Sequence, residues 1–200
     1  MKFPKNILEV GAFQPDFMGF IFYPKSKRFV GEDFLPKSLK KLPESIKKVG
    51  VFVNETSERI IAIQKQFSFD FVQLHGGESV SECEVLKKNN IKIIKVFSVD
   101  NYFNFKEVEA FESVCDYFLF DTKTSKYGGS GKSFDWELLA NYYLSKPFFL
   151  SGGLSIQNIS QIKFKKYPML VGLDFNSKLE DSNTKKITEE VSELIEKIRR

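Results

Sequence analysis

Seven short apolar runs punctuate the chain: FMGFIF, VGVFV, FVQLH, IIKVFSV, YFLFDT, PFFLSGG and MLVGLDF. Most are continuous rather than alternating, the pattern of parallel strands covered on both faces. Segments with helical period separate them. KNILEVGAF reads as a helix ahead of the first run, and SERIIAIQKQF as a second that Ser57 would cap. SECEVLKK and LSIQNISQIKF read as helices after the third and sixth runs. Near the end, Ile187, Val191, Leu194, Ile195 and Ile198 form one apolar stripe. No Pro/Ser linker breaks the alternation, so residues 1–200 are expected to form one α/β domain on a parallel sheet. An open doubly wound sheet and a closed (β/α)8 barrel both satisfy this pattern. Periodicity does not separate them.

Composition narrows the function classes more than the fold. Of 200 residues, 42% are apolar, enough for a full core and unlike a disordered segment. No run approaches the ~20 apolar residues of a membrane span, and the start carries no secretory pattern. The expectation is a cytoplasmic protein with no membrane partner. Cys83 and Cys115 have no metal-type spacing and read as free thiols, with no metal site. The net charge of +4 is spread over mixed-sign segments such as KKITEEVSELIEKIRR. Nucleic-acid binding would gather the basic residues on one face, so no nucleic-acid partner is expected. A mild positive excess suits a small anionic substrate.

In either fold, ligands bind beyond the C-terminal ends of the strands. The polar residues there are distinctive: Lys25, Lys27 and Arg28 in YPKSKRF, Gln73 and His75 in QLHGGE, and Asp121 opening DTKTSKYGGSGKSFDW. Ser151, Gly152 and Gly153 close one run, and DFNSK (174–178) follows the last. Each has a plainer reading: a solvated basic loop, a hydrogen-bonded structural histidine, a glycine turn. YGGSGK lacks the GxxxxGK[ST] spacing of a phosphate loop and reads better as a glycine-hinged loop over a site. SGG followed by a helix would offer backbone amides to an anion. In barrels, phosphate is held by the loops after strands seven and eight, and SGG and DFNSK would take those two places.

Together, GFIFYPKSKR, VGVFVNE, VQLHG, DTKTSKYGGSGKSFDW and LSGGL, in this order, resemble the phosphoribosylanthranilate isomerase family over nearly the whole chain. The resemblance implies the (β/α)8 TIM barrel. It also implies an Amadori rearrangement without metal or cofactor, in tryptophan biosynthesis. N-(5'-phosphoribosyl)anthranilate becomes 1-(2-carboxyphenylamino)-1-deoxyribulose 5-phosphate. An acid protonates the ribose ring oxygen so that the ring opens to a Schiff base, and a base takes the proton from the adjacent sugar carbon. The substrate carries two anions, a phosphate and an aromatic carboxylate. On this resemblance Asp121 matches the general acid, which would need a raised pKa in a water-poor site. Arg28 matches the grip on the carboxylate, a planar fork for a planar group. Asp174, Gln73 and His75 match substrate-side positions, and Gly152 and Gly153 the phosphate turn, with Asn176 and Ser177 as its other half.

Two departures qualify the resemblance. The family commonly reads SSG and then an acidic residue after the aspartate, whereas here Phe175, Asn176, Ser177 and Lys178 follow Asp174. The glycine is replaced, and Lys178 is expected to compensate with charge. The family also begins with a strand reading approximately KICG, whose cysteine is the general base. MKFPKNI aligns just after it, so the expectation is a barrel lacking its first strand, with that base upstream of Met1 and the activity impaired. Cys115 lies roughly 20 Å from Asp121 at ~3.3 Å per residue, and Cys83 belongs to an outer helix, so neither would replace it. The open edges would make the fold marginal or drive pairing with another chain. The resemblance allows monomer and homodimer alike. A non-catalytic phosphosugar binder, an assembly partner and another phosphosugar barrel enzyme remain alternatives.

Overall fold

The computed structural model describes residues 1–123 and 134–199. The expected glycine-hinged loop, in its residues 124–133, lies outside them. All seven apolar runs are strands: β1 (Phe17–Ile21), β2 (Lys47–Phe52), β3 (Phe71–Leu74), β4 (Ile93–Val99), β5 (Tyr117–Thr122), β6 (Phe148–Leu150) and β7 (Leu170–Leu173). They form one parallel sheet in sequential order, β1 through β7. Sequential order with every strand parallel gives all connections the same sense and rolls the sheet toward a barrel.

The roll is visible in the packing. Val49, Val51, Phe71, Ile94, Val96, Leu119 and Phe149 form an inner cluster joined by Phe17, Ile21 and Tyr117. Phe17 on β1 meets Phe149 on β6 edge-on, with ring centroids 5.1 Å apart, so side chains reach across the interior. The alternate positions Phe52, Val72, Leu74, Ile93, Phe118, Phe120, Phe148 and Leu150 point into a second buried cluster on the opposite side. Two buried faces explain why the runs read as continuous rather than alternating. The result is an α/β TIM-barrel-like fold.

Among the described residues, four α-helices accompany the sheet: α1 (Pro4–Gly11), α2 (Ser57–Phe67), α3 (Val80–Lys88) and α4 (Thr188–Arg199). The cap of α2 is Thr56 rather than Ser57; its side chain accepts from the Arg59 N–H, which makes Ser57 the first helical residue. The expected helix LSIQNISQIKF is replaced by two single 3-10 turns, Ile159–Gln161 and Phe164–Lys166. Ile156, Ile159 and Ile162 are all buried. Their spacing of three suits the 3-10 repeat, which stacks every third side chain on one face. The α4 stripe holds at Val191 and Leu194, which are buried, while Ile198 is 47% exposed.

β1 and β7 end the sheet and form no ladder with each other among the described residues. The Met1 nitrogen donates to the Gly19 carbonyl on β1 at 2.7 Å. Outside the seam, Ile7 and Val10 of α1 share a cluster with Val191 and Leu194 of α4. The helical layer is thus continuous where the sheet is not.

Candidate active site

Because every strand runs the same way, all the strand-end residues singled out in the sequence arrive on one rim. Asp121 is the penultimate residue of β5, and Gln73 the third of β3 with His75 just beyond its end. Gly152 and Gly153 follow β6, and Asp174 follows β7 directly. Arg28 sits in the connection after β1, where the Val30 N–H donates to the Ile21 carbonyl and turns the loop back onto the strand.

The centre of the rim is a chain of three side chains. Gln73 Nε2 lies 3.2 Å from His75 Nδ1, and His75 Nε2 lies 3.3 Å from Asp121 Oδ2. In the neutral imidazole, a Gln73 amide donating to Nδ1 leaves the ring proton on Nε2, facing the carboxylate. Gln73 is 9% exposed and held by the sheet. The loop that presents His75 is anchored from behind by Glu78, which accepts from the Asn54 and Gly76 N–H groups. Lys95 in turn donates to Glu78 Oε2 at 2.9 Å and to the Gly76 carbonyl at 2.8 Å. Both side chains of this pair are almost fully buried, 3% and 1% exposed.

A second carboxyl stands near the first. Ser151 Oγ donates to Asp174 Oδ2 at 3.2 Å. Burial pushes the Asp174 carboxyl above its ordinary pKa, and the negative charge of Asp121 adds to the effect; His75, Lys186 and the Ser151 hydroxyl work against it. Burial and that neighbouring charge both favour the protonated form of Asp174.

Gly152 has φ +90°, and a Cβ there would lie 2.1 Å from Thr122 Oγ1. Only glycine allows this contact, which locks the end of β6 against the end of β5. Gly153 also has positive φ, +69°. Among the described residues, the N–H groups of Gly152, Gly153, Asn176 and Ser177 have no hydrogen-bond partner. The expected helix dipole is absent here, because only 3-10 turns follow. Asn158 instead braces the turn, accepting from the Ser155 N–H and donating to the Gly153 carbonyl. An anion at this point would be held by oriented amides alone.

Lys178, expected to compensate for the replaced glycine, is exposed. The amine beside that loop belongs to Lys186, whose Nζ donates to the Asn176 carbonyl (2.6 Å) and Oδ1 (2.7 Å). Lys186 is fixed through its backbone by Asn6 of α1, which accepts from its N–H and donates to its carbonyl. Arg28 is buried, 8% exposed, and its Nε donates to both oxygens of Glu180 at 2.9 Å. Sequence reasoning missed Glu180, Lys186 and Asn6. The only local trace of Glu180 and Lys186 is a charge-rich stretch, LEDSNTKK, that reads as solvated surface.

Neither cysteine touches this rim. Cys83 on α3 and Cys115 ahead of β5 are free, buried thiols in the cluster between sheet and helices. Among the described residues, no group of three or more His, Cys, Asp or Glu side chains could hold a metal ion. No described helix is long and apolar enough to cross a membrane.

Comparison with known proteins finds relatives in both sequence and fold. The sequence profile of N-(5'phosphoribosyl)anthranilate (PRA) isomerase matches residues 3–197. The N-(5'-phosphoribosyl)anthranilate isomerase of Parabacteroides distasonis is 39% identical over 199 residues, covering 99% of this chain and 90% of that protein. The crystal structure of phosphoribosyl anthranilate isomerase from Thermotoga maritima superposes with a TM-score of 0.85 at 30% identity, covering 100% of this chain and 95% of that one. A further isomerase structure has a TM-score of 0.80 at 26% identity over the same shares. It holds reduced 1-(o-carboxyphenylamino)-1-deoxyribulose 5-phosphate.

Proposed function

Because the chain belongs to the N-(5'-phosphoribosyl)anthranilate isomerase family, we propose that its rim binds N-(5'-phosphoribosyl)anthranilate and rearranges it to the aminodeoxyribulose phosphate of tryptophan biosynthesis. One observation carries the site assignment. Asp121, held by His75 at 3.3 Å, shares a strand-end rim with the unpaired amides of Gly152 and Gly153 and with Arg28. An acid, an anion cradle and a carboxylate fork are what a doubly anionic aminosugar requires.

Asp121 gives a proton to the ribose ring oxygen as the carbon–oxygen bond breaks and the nitrogen lone pair forms a Schiff base. A base then takes the proton from the neighbouring sugar carbon to give an enamine, which tautomerises to the ketone; Cys83 and Cys115, buried behind the sheet, do not reach that carbon. His75 orients the Asp121 carboxyl, and the raised pKa of Asp174 beside it limits the negative charge around the reacting sugar. Arg28 receives the aromatic carboxylate. The amides of Gly152, Gly153, Asn176 and Ser177 receive the phosphate. On this reading the seam between β1 and β7 is where an eighth strand would complete the barrel.

The test is conversion of N-(5'-phosphoribosyl)anthranilate, followed by anthranilate fluorescence, and growth of a tryptophan auxotroph lacking this isomerase. Asp121→Asn should cut kcat by at least a hundredfold, in line with loss of a general acid. Binding of the reduced product should survive that change. Failure of the unaltered chain to bind the reduced product would overturn the reading. Binding without conversion would favour a second one, a phosphosugar-binding barrel, which the seclusion of both cysteines behind the sheet supports.

A further inference from the structure

A buried carboxylate already occupies part of the guanidinium that the proposed function assigns to the substrate. Arg28 Nε donates to both Glu180 oxygens at 2.9 Å, and Nη2 donates to Oε1. The Glu180 side chain is only 3% exposed and the Arg28 side chain 10%. Two more cations approach the same carboxylate: Lys186 Nζ at 3.4 Å and Lys27 Nζ at 3.8 Å. Burial opposes ionisation of Glu180, yet Arg28 and Lys186 outweigh it and hold its carboxyl below the ordinary value.

The geometry of the contact is informative. Glu180 uses the Nε edge of the fork. Nη1 has no partner among the described residues and is not one of the buried unpaired atoms. A guanidinium has five N–H donors, so one carboxylate on the Nε edge leaves the Nη1 end for a second. Three cations around one anion also leave surplus positive charge, suited to an incoming anion. Glu180 itself is rigidly held. Its backbone bridges Lys186 in an antiparallel pair, and Asn6 clamps Lys186 from α1.

We propose that Glu180 is a positioning residue for the carboxylate grip: it clamps the Nε edge of Arg28 so that the Nη1 end is presented to the aromatic carboxylate of the substrate. This rests on the reading that Arg28 receives that carboxylate. The role is permanent; Glu180 stays in place when the ligand binds. Lys186 couples the same carboxylate to Asn176 in the phosphate loop, so the two anion-binding halves of the site share one support.

The test compares two ligands by calorimetry, so it requires no turnover. One is reduced 1-(o-carboxyphenylamino)-1-deoxyribulose 5-phosphate. The other is its phenylamino counterpart without the ring carboxylate. Glu180→Gln keeps the shape but places an amide N–H against the guanidinium. It should weaken the carboxylate-bearing ligand at least tenfold and the other less than twofold. Equal weakening of both would mark Glu180 as merely structural and overturn the proposal. Tighter or unchanged binding of the carboxylate ligand would overturn it too, since that is how a plug displaced by substrate would behave. Should Glu180→Gln fail to fold by circular dichroism, Glu180→Asp decides: a loss confined to the carboxylate-bearing ligand supports the proposal and an equal loss of both overturns it. Arg28→Lys is the control on the underlying reading. If it does not selectively weaken the carboxylate-bearing ligand, Arg28 is not the grip and both readings fall. If it does while the Glu180 variants do not, only the present proposal fails.

Discussion

His75 Nε2 lies 3.3 Å from Asp121 Oδ2, with the far side of the ring held by Gln73 Nε2 at 3.2 Å. The two ring nitrogens therefore have different jobs, one accepting from an amide and the other facing a carboxylate. This joins β3 to β5 across the strand between them, because β3 pairs with β4 and β4 with β5. The contact also turns a residue with an open role in the sequence into part of the support for the proposed acid.

His75 is the sole histidine, which makes its tautomer directly measurable. In the 15N-labelled protein near pH 8, the Nε2–H form should dominate, with Nδ1 showing the shift of a hydrogen-bonded acceptor. Gln73→Leu removes that amide and should relax the tautomer toward a mixture. A dominant Nδ1–H form in the unaltered protein would contradict the assignment.

Gly152→Ala should destabilise the fold by about 2 kcal/mol or more, because it combines positive φ with a clash. The added Cβ would sit 2.1 Å from Thr122 Oγ1 and 2.6 Å from the Thr122 backbone nitrogen. Gly31→Ala, where φ is +94° and nothing lies within 4 Å of an added Cβ, has the φ cost alone and should lose about 1 kcal/mol. Urea denaturation of the two variants compares them. Equal losses would mean that the close approach of β5 and β6 contributes little.

Lys95 and Glu78 form an ion pair hidden beneath the loop that carries His75. Lys95→Met leaves a buried carboxylate without its cation and should cost roughly 3–5 kcal/mol. Pairing it with Glu78→Gln removes the stranded charge yet keeps an acceptor for the Gly76 N–H, and should recover part of the loss. The double-mutant cycle in urea reads this coupling. Strict additivity would show that the pair is not coupled.

Asp174→Asn should raise the melting temperature at neutral pH. The folded-state pKa of Asp174 is raised, by burial first and Asp121 second. Its favourable contribution is therefore fully present below the unfolded value, 3.8, and is lost as pH rises through the folded value. At neutral pH the carboxyl costs stability that a neutral amide does not. Glu180 has the opposite sign: its lowered pKa gives stability present above 4.5 and lost on acidification. The thermal gain of Asp174→Asn should accordingly shrink as pH falls through the raised folded value and be gone below 3.8, where the carboxyl is protonated in both states. A gain that stays constant with pH would exclude this origin.

The strands were legible in the linear chain because their burial is local. A run such as YFLFDT is apolar at consecutive positions only if both of its faces are covered, and all seven runs are strands. The rim was legible for a related reason: parallel strands carry their C-terminal residues to the same end wherever they lie in the sequence. The motifs holding Arg28, Asp121 and Gly152 were also long enough to carry a family resemblance. Helical detail was less legible. Ser57 and Thr56 are equally good caps by composition, and only the backbone turn at Thr56 selects one. The isoleucines of SIQNISQI fit helical spacing approximately, but the spacing of three that packs Ile156, Ile159 and Ile162 is that of 3-10 turns.

What only the tertiary structure decided are the contacts between charges distant in sequence. Arg28 meets Glu180 across 152 intervening steps of the chain, and Asn6 meets Lys186 across 180. Sequence determines which of these groups can ionise or donate, and it orders the strands that carry them. It does not say which partner each finds, because a charged side chain in a polar stretch looks the same whether it faces water or a buried counter-ion. The rolling of the sheet decides that, by bringing the segment after β7 back against the loop after β1, where desolvation makes pairing obligatory.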